Sequence, residues 1–287
     1  MNKNEEKVYK AFDTLKAGVL DMIQKPEKLE KTMEHYGKHR KYNRYSGQNT
    51  ILLMLQTQMY KGKPFMMARG FKQWKNEFNR TVNKGEKAMT ILAPNLKTIV
   101  TINDKTGEEE KRQTLMGFRA INVFELSQTS GEPVPQPTED HEYKSLHELK
   151  AEDFAKACPV PVEFVDMVGS SGYTDGKRIY VATHNNDLGR ICTIFHELAH
   201  YNLHFTRTPD GLEVQRDDSI KMQELEAEAV AYMVSSALGI ENEFSKKYIS
   251  NWNKGNDDIG SEFESRCLKL LNEALGQIDV FIGLVEA

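Results

Sequence analysis

A chain of 287 residues with 39% apolar and 28% charged side chains has material for two hydrophobic cores and the composition of an ordinary globular protein. Its longest early apolar run, ILLML at 51–55, is far too short to cross a bilayer, and the charged start MNKNEEKVYKAFDTL lacks the apolar stretch of an export signal, so a cytoplasmic location is expected. The net charge of −4 conceals an asymmetry: residues 1–127 hold 24 Lys and Arg against 14 Asp and Glu (+10), and the remainder holds 14 against 28 (−14), the mark of two domains with separate partners.

Residues 5–24 place Val8, Phe12, Leu15, Val19, Leu20 and Ile23 at helical spacing. A second helix is expected from Gln48 through Met59, with Ser46 or Asn49 available to cap it, and a short third one over Ala68–Asn79. Lys84-Gly85-Glu86-Lys87 reads as a turn into the strand AMTILAP. TIVTI and GFRAINVFEL read as further strands, joined by the polar loop NDKTGEEEKRQ. This half is expected to be α+β, with Phe71, Phe78 and Phe124 in its core.

The segment Gln128–Glu142, QTSGEPVPQPTEDHE, carries three prolines among polar residues and is expected as a semi-extended linker. It divides the chain into a basic domain over 1–127 and a second domain over 143–287. Beyond it, Leu149–Ala157 reads as a short helix and PVEFVDM as a strand. GYTDGKRIYVA reads as a hairpin about a Thr-Asp-Gly-Lys turn, with RIYVA taken as an edge-type strand. Asn186-Asp187 precede the helix LGRICTIFHELAHYNLHF. SIKMQELEAEAVAYMVSSALGI is a further helix, and Glu262–Leu284 an amphipathic one that closes the chain. The cysteines, Cys158, Cys192 and Cys267, are too widely spaced for a disulfide framework and read as small buried side chains, Cys192 one turn before His196.

His196-Glu197-Leu198-Ala199-His200 is the most informative segment. Histidines at i and i+4 lie about 40° apart around a helix, so both imidazoles can reach one metal ion. Glu197 projects beside them, where it can hold or deprotonate a water, the logic of metallopeptidases. A third protein ligand is still required. Thr206 stands ten residues after His196, where a longer three-histidine motif would have its last histidine. His204 is one turn beyond His200, and three turns of one helix diverge along about 12 Å of axis, so His204 is expected behind the ligands, on the substrate side, or on the surface. Glu224 and Glu228 share a helical face, with Glu226 on another. Glu224 is assigned as the third ligand and Glu228 as the carboxylate supporting a ligand histidine, with exchanged roles as the alternative. The donor set points to Zn2+, and Mn2+ or other divalent ions suit the same residues.

The basic half interleaves cations with aromatic rings in HRKYNRYSGQN (39–49), ARGFKQW (68–74) and NKGEKA (83–88), with Arg119 beside Phe118. Proteins that hold single-stranded nucleic acid use this combination, cations tracking phosphates and rings stacking on bases. The candidates are Tyr42, Arg44, Tyr45, Asn49, Lys72, Trp74, Lys84, Lys87 and Arg119. The competing reading is a basic surface whose aromatics, Trp74 included, are mostly core.

The order SGQNTILLML, FKQW, VNKGEKAMTILAP and FRAINVFELSQT, then the linker, HELAH and ELEAEAVA, resembles the ArdC-type antirestriction proteins and the LtrC-like proteins of conjugative elements. The resemblance spans roughly Tyr42 to Ile240. It implies a single-stranded-DNA-binding domain followed by a zincin-like metallopeptidase domain, in an antirestriction protein of a plasmid, conjugative element or phage. The second domain is also similar to the ImmA/IrrE metallopeptidases. Their E-x-x-A-[ND] signature sets Glu224 at the ligand position and Ala227 at the alanine, with Glu228 where Asn or Asp is common. Two other functions stay open: a regulatory peptidase that cuts a repressor, and a DNA-coating protein with a non-catalytic metal domain. Tyr173, ahead of RIYVA, is expected to orient a peptide laid along that strand.

Overall fold

The computed structural model describes residues 2–40, 44–62, 64–102, 109–134, 143–207, 211, 213–215, 219–255 and 261–286. In chain order, helices α1 (Lys3–Gln24), α2 (Pro26–His39) and α3 (Gly47–Lys61) precede strand β1 (Ala68–Arg69) and helix α4 (Phe71–Phe78). Strands β2 (Arg80–Val82), β3 (Met89–Ile102), β4 (Glu109–Glu125) and β5 (Thr129–Gly131) follow. Then come α5 (Ala151–Ala157), β6 (Val162–Val165), β7 (Gly172–Thr174), β8 (Ile179–Ala182), α6 (Asp187–His204), β9 (Phe205–Arg207) and β10 (Glu213–Gln215). Helices α7 (Ile220–Ala237), α8 (Glu243–Gly255) and α9 (Ser261–Val285) complete the order. None of the described helices is long and apolar enough to cross a membrane.

The elements form two compact units, Met1–Leu15 with Asn49–Pro135, and Lys16–Gln48 with Gln136–Ala287. Residues 16–48 precede the proline-rich segment yet belong to the second unit, which a division at that segment alone does not describe. Of the expected linker, Thr129–Gly131 is strand β5, paired with β2, and 135–142 lie outside the described residues.

In the first unit β1, β4 and β3 form an antiparallel sheet in that order. AMTILAP and TIVTI are one continuous strand, β3, and Glu109–Gln113 of the expected loop belong to β4; residues 103–108 lie outside the described ones. The ladder shifts register between Pro94 and Leu96, where Pro94 brings no N–H and Gly117 on the partner strand takes φ +131°. One strand residue opposes two there, and glycine alone adopts that backbone without strain. The free side of β3 is not left bare. The Asn49 carboxamide on α3 pairs with both backbone groups of Leu92 (2.8 and 2.9 Å), and Gln56, two turns on, does the same for Thr90 (2.9 and 2.8 Å). Two side-chain amides thus replace a neighbouring strand, which commits Asn49 to the scaffold. Trp74 is fully buried with Met67 and Val134, and its Nε1–H donates to the Phe124 carbonyl at 2.9 Å. Phe71, expected in the core, is instead 58% exposed: it opens α4 after Gly70 and meets Phe124 edge-on, ring centroids 6.2 Å apart, while Phe78 and Phe124 are half-buried against the core.

The second unit is built around α7, which is buried along nearly its whole length by α6, α2, α8 and α9. Its alanines at 227, 229, 231 and 237 let four helices approach it closely. Gly37 on α2 marks one such approach, since a Cβ there would lie 1.9 Å from the Ala237 carbonyl oxygen. A ring cluster of Phe154, Phe195 and Phe281 joins α5, α6 and α9. The sheet order is β6-β8-β7, with β8 parallel to β6 and antiparallel to β7. RIYVA is therefore the central strand rather than the edge: Ile179, Val181 and Ala182 are buried, and β6 and β7 are the edge strands.

Candidate metal centre

Helix α6 starts at Asn186, whose side chain accepts from the Gly189 N–H at 2.9 Å, and runs unbroken through the His-Glu-x-x-His segment. Helix α7 starts at Ser219, whose hydroxyl accepts from the Met222 N–H. The two helices pack together, so the histidine face of α6 meets the glutamate face of α7. The Nε2 atoms of His196 and His200 lie 3.0 Å apart. Glu224 Oε2 is 3.5 Å from His196 Nε2, and Glu224 Oε1 is 3.4 Å from His200 Nε2. One donor atom from each of the three residues falls within 4.8 Å of the others, a spacing that a single ion would bridge. Glu228, one turn after Glu224 and nearly buried, approaches the other nitrogen of His196, Nδ1, at 3.3 Å.

The electrostatics suit a cation. Burial alone pulls the His196 imidazole down, yet the Glu224 and Glu228 carboxylates override it and push it up to about 10. Burial holds His200 below the ordinary histidine value despite Glu224. Contact with both imidazoles holds Glu224 well below the usual carboxylate range. Burial pushes Glu197 up to about 7, with Glu224 and Glu228 adding to the rise. A carboxyl near neutrality in a water-poor site is the property expected of a general acid or base.

The site lies in a cleft of about 960 Å³. One wall is strand β7, pressed against α6 at Gly172, where a Cβ would meet Thr193 Cγ2 at 2.5 Å, the Tyr180 carbonyl at 2.8 Å and Glu197 Cγ at 3.3 Å. Tyr173 on that edge strand is half-exposed at the cleft and stacks on Tyr180, ring centroids 4.6 Å apart. The lining also includes Phe244 and Tyr248 of α8, which the sequence does not single out because no motif ties them to α6. The Tyr248 phenol is raised by burial and by Glu224 and Glu228. His204 is on neither the surface nor the substrate side: it is completely buried, with Nδ1 2.8 Å from Nδ1 of His200 and Nε2 2.9 Å from Glu226.

The expected DNA-binding residues divide between the two units. Lys72, Lys84, Lys87 and Arg119 are exposed on the first unit. Arg44, exposed, and Tyr45, half-buried, belong to the second. Tyr42 lies outside the described residues. Trp74 and Asn49 are structural in this fold, as described above, so neither offers a free face to a ligand. Phe71, exposed beside Lys72, is the aromatic face that Trp74 does not supply.

A small sheet, a helix bearing His-Glu-x-x-His across it, and a following helix that presents a glutamate to both histidines define a zincin-like domain. Residues 165–264 match the M78 peptidase family model, described as the IrrE N-terminal-like domain, and residues 3–124 match the N-terminal domain of anti-restriction factor ArdC. The chain thus carries an ArdC-type N-terminal domain followed by an IrrE-like zincin-type domain. The antirestriction ArdC protein from plasmid R388 is similar in its metal-free structure (24% identity, 82% of this chain and 83% of that one, TM-score 0.44). Its Mn(II)-bound structure is similar too (21% identity, 84% of each chain, TM-score 0.46). The uncharacterized protein pXO2-81 of Bacillus anthracis is 25% identical over 64% of this chain, which spans 37% of that protein's length.

Proposed function

We propose that this is an antirestriction-type protein of a mobile genetic element that binds single-stranded DNA through its N-terminal domain and carries a divalent-metal peptidase centre in its second domain. The observation that carries the second part is the convergence of His196, His200 and Glu224 beside the buried Glu197. Two imidazoles and one carboxylate, with room left in an open cleft, form the donor set of catalytic zinc sites, and Mn2+ accepts the same ligands. A bound ion would supply Lewis acidity, polarising a scissile carbonyl and acidifying a water. The protein's own part follows from the geometry. Glu197 takes the proton of the attacking water and returns it to the leaving amine, a shuttle suited to a carboxyl raised toward neutrality. Glu228 holds the His196 ring by its Nδ1–H, leaving Nε2 for the ion.

Support for the first part is the exposed set Lys72, Lys84, Lys87 and Arg119, with Phe71 available for stacking. The expected partner is incoming single-stranded DNA in the cytoplasm. The free edge of β7 along the cleft favours a second reading, an ImmA/IrrE-like peptidase that adds a repressor segment as an extra strand with Tyr173 beside it. Fluorescence anisotropy with a labelled single strand, a duplex competitor and a salt titration tests the DNA role; the salt slope counts phosphate contacts. Tight, salt-sensitive, strand-selective binding is expected. No binding at low salt removes that role and leaves the regulatory peptidase. A Glu197→Gln protein that keeps antirestriction with intact DNA binding would instead leave a DNA-coating protein with a silent metal domain.

A further inference from the structure

The contacts behind His200 continue away from the cleft. His204 ends α6, Glu226 is on α7 and Arg266 on α9, so three helices meet at one buried line of polar atoms. His200 Nδ1 faces His204 Nδ1 at 2.8 Å, His204 Nε2 faces Glu226 Oε2 at 2.9 Å, and Arg266 Nη1 donates to Glu226 Oε1 at 3.0 Å. The side chains of His204 and Glu226 are 0% and 1% exposed, so water does not substitute for either contact.

With His204 neutral, proton accounting allows one arrangement. A carboxylate paired with a guanidinium only accepts, so His204 Nε2 carries a proton and donates to Glu226. A neutral imidazole has a single N–H, so His204 Nδ1 is bare and accepts from His200. His200 then carries its proton on Nδ1, and its Nε2 lone pair is the one aimed at Glu224 and His196. Turning either ring over would leave a buried donor or acceptor unpaired, at the full desolvation cost of that group.

We propose that Glu226 and Arg266 are positioning residues of the metal centre: acting through His204, they fix the tautomer of His200 and keep its Nε2 open to a cation. The proposal rests on the reading of His196, His200 and Glu224 as metal ligands. Glu226 does lie on a different face of α7 from Glu224, and that face is the one turned to His204 and Arg266.

Long-range 1H–15N spectra of the full, metal-free protein read each histidine tautomer directly. In the unsubstituted protein His200 is expected as the Nδ1–H form and His204 as the Nε2–H form. Glu226→Gln, whose amide both donates and accepts, is expected to mix the tautomers at His204 and His200. It should also weaken Zn2+ binding, read by competition with a chelator, about 10–100-fold with circular dichroism unchanged. If Glu226→Gln does not fold, His204→Asn and His204→Leu carry the test: the asparagine oxygen still accepts from His200 Nδ1–H and should hold Zn2+ more tightly than leucine does. A Glu226→Gln protein with unchanged tautomers and unchanged affinity overturns the proposal, as do equal affinities for the two His204 variants. Failure of the unsubstituted protein to take up Zn2+ overturns the metal reading instead. The tautomer comparison, made without metal, then still decides whether Glu226 governs His200.

Discussion

Oε1 of Glu228 stands 3.3 Å from Nδ1 of His196, across the ring from the nitrogen that joins the ligand cluster. The two glutamates on this face of α7 therefore have separable effects. Glu224→Ala removes a donor and should abolish stoichiometric Zn2+ uptake, whereas Glu228→Ala leaves the donors in place and should weaken uptake about 10–100-fold. Calorimetric titration of both proteins checks the order, and equal losses would mean the two carboxylates share the ion.

Glu197→Gln keeps the shape of the site and all three donors while removing the proton acceptor. Peptide hydrolysis, followed by mass spectrometry on a mixed peptide library, should fall by about 10²–10⁴. Metal content and single-strand binding should not change.

The aromatic rings of the first unit should separate stability from binding. Trp74→Ala empties a buried position and loses a hydrogen bond, at an expected cost of about 3–5 kcal/mol in urea unfolding. Phe71→Ala lies at the surface and should cost within about 0.5 kcal/mol, yet weaken single-strand binding.

Gly172→Ala should affect the cleft through the backbone. The new methyl group would meet the Tyr180 carbonyl at 2.8 Å, which cannot rotate away, so β7 must lift from α6 beside Glu197. A loss of about 1–3 kcal/mol in stability is expected, with peptide hydrolysis reduced and zinc affinity little altered.

Asp187 gives an acid-side signature. Its carboxylate accepts from the Ala151 N–H (3.1 Å) and from Arg190 (2.8 Å), and the Ala151 bond first among these holds it below its ordinary 3.8. A carboxylate lowered on folding stabilises the fold above its unfolded value and loses that contribution as pH falls through the lower, folded one. Thermal melts of Asp187→Asn should therefore differ from those of the unsubstituted protein at neutral pH and converge with them below 3.8.

The legible and illegible parts of the sequence divide by distance along the chain. His196, Glu197 and His200 were readable because helical spacing alone brings them together, and Glu224 because it shares a face with Glu228. The Glu226–Arg266 pair was not, since it depends on α9 returning to α7 from 40 residues away. RIYVA was misplaced at an edge because β6 and β7 both flank it only in three dimensions. Trp74 and Phe71 are three residues apart in FKQW, so helical spacing sets them side by side on one face, and the pattern does not say that Trp74 takes the core and Phe71 the surface. Asn49 looked like a ligand-binding amide until its partner, the free side of β3, was known.

The chain passes between its two compact units three times, at 15–16, 48–49 and 135–136. Helix α2, from the early part of the sequence, lies along α7, and its Glu30 accepts from the Tyr232 hydroxyl at 3.0 Å and from Lys246 at 2.8 Å. The gene fragment that begins after the prolines therefore does not encode the whole second unit. It would leave the Tyr232 side of α7 without its cover, and any transplant of this unit has to carry residues 16–48 with it or replace what they build.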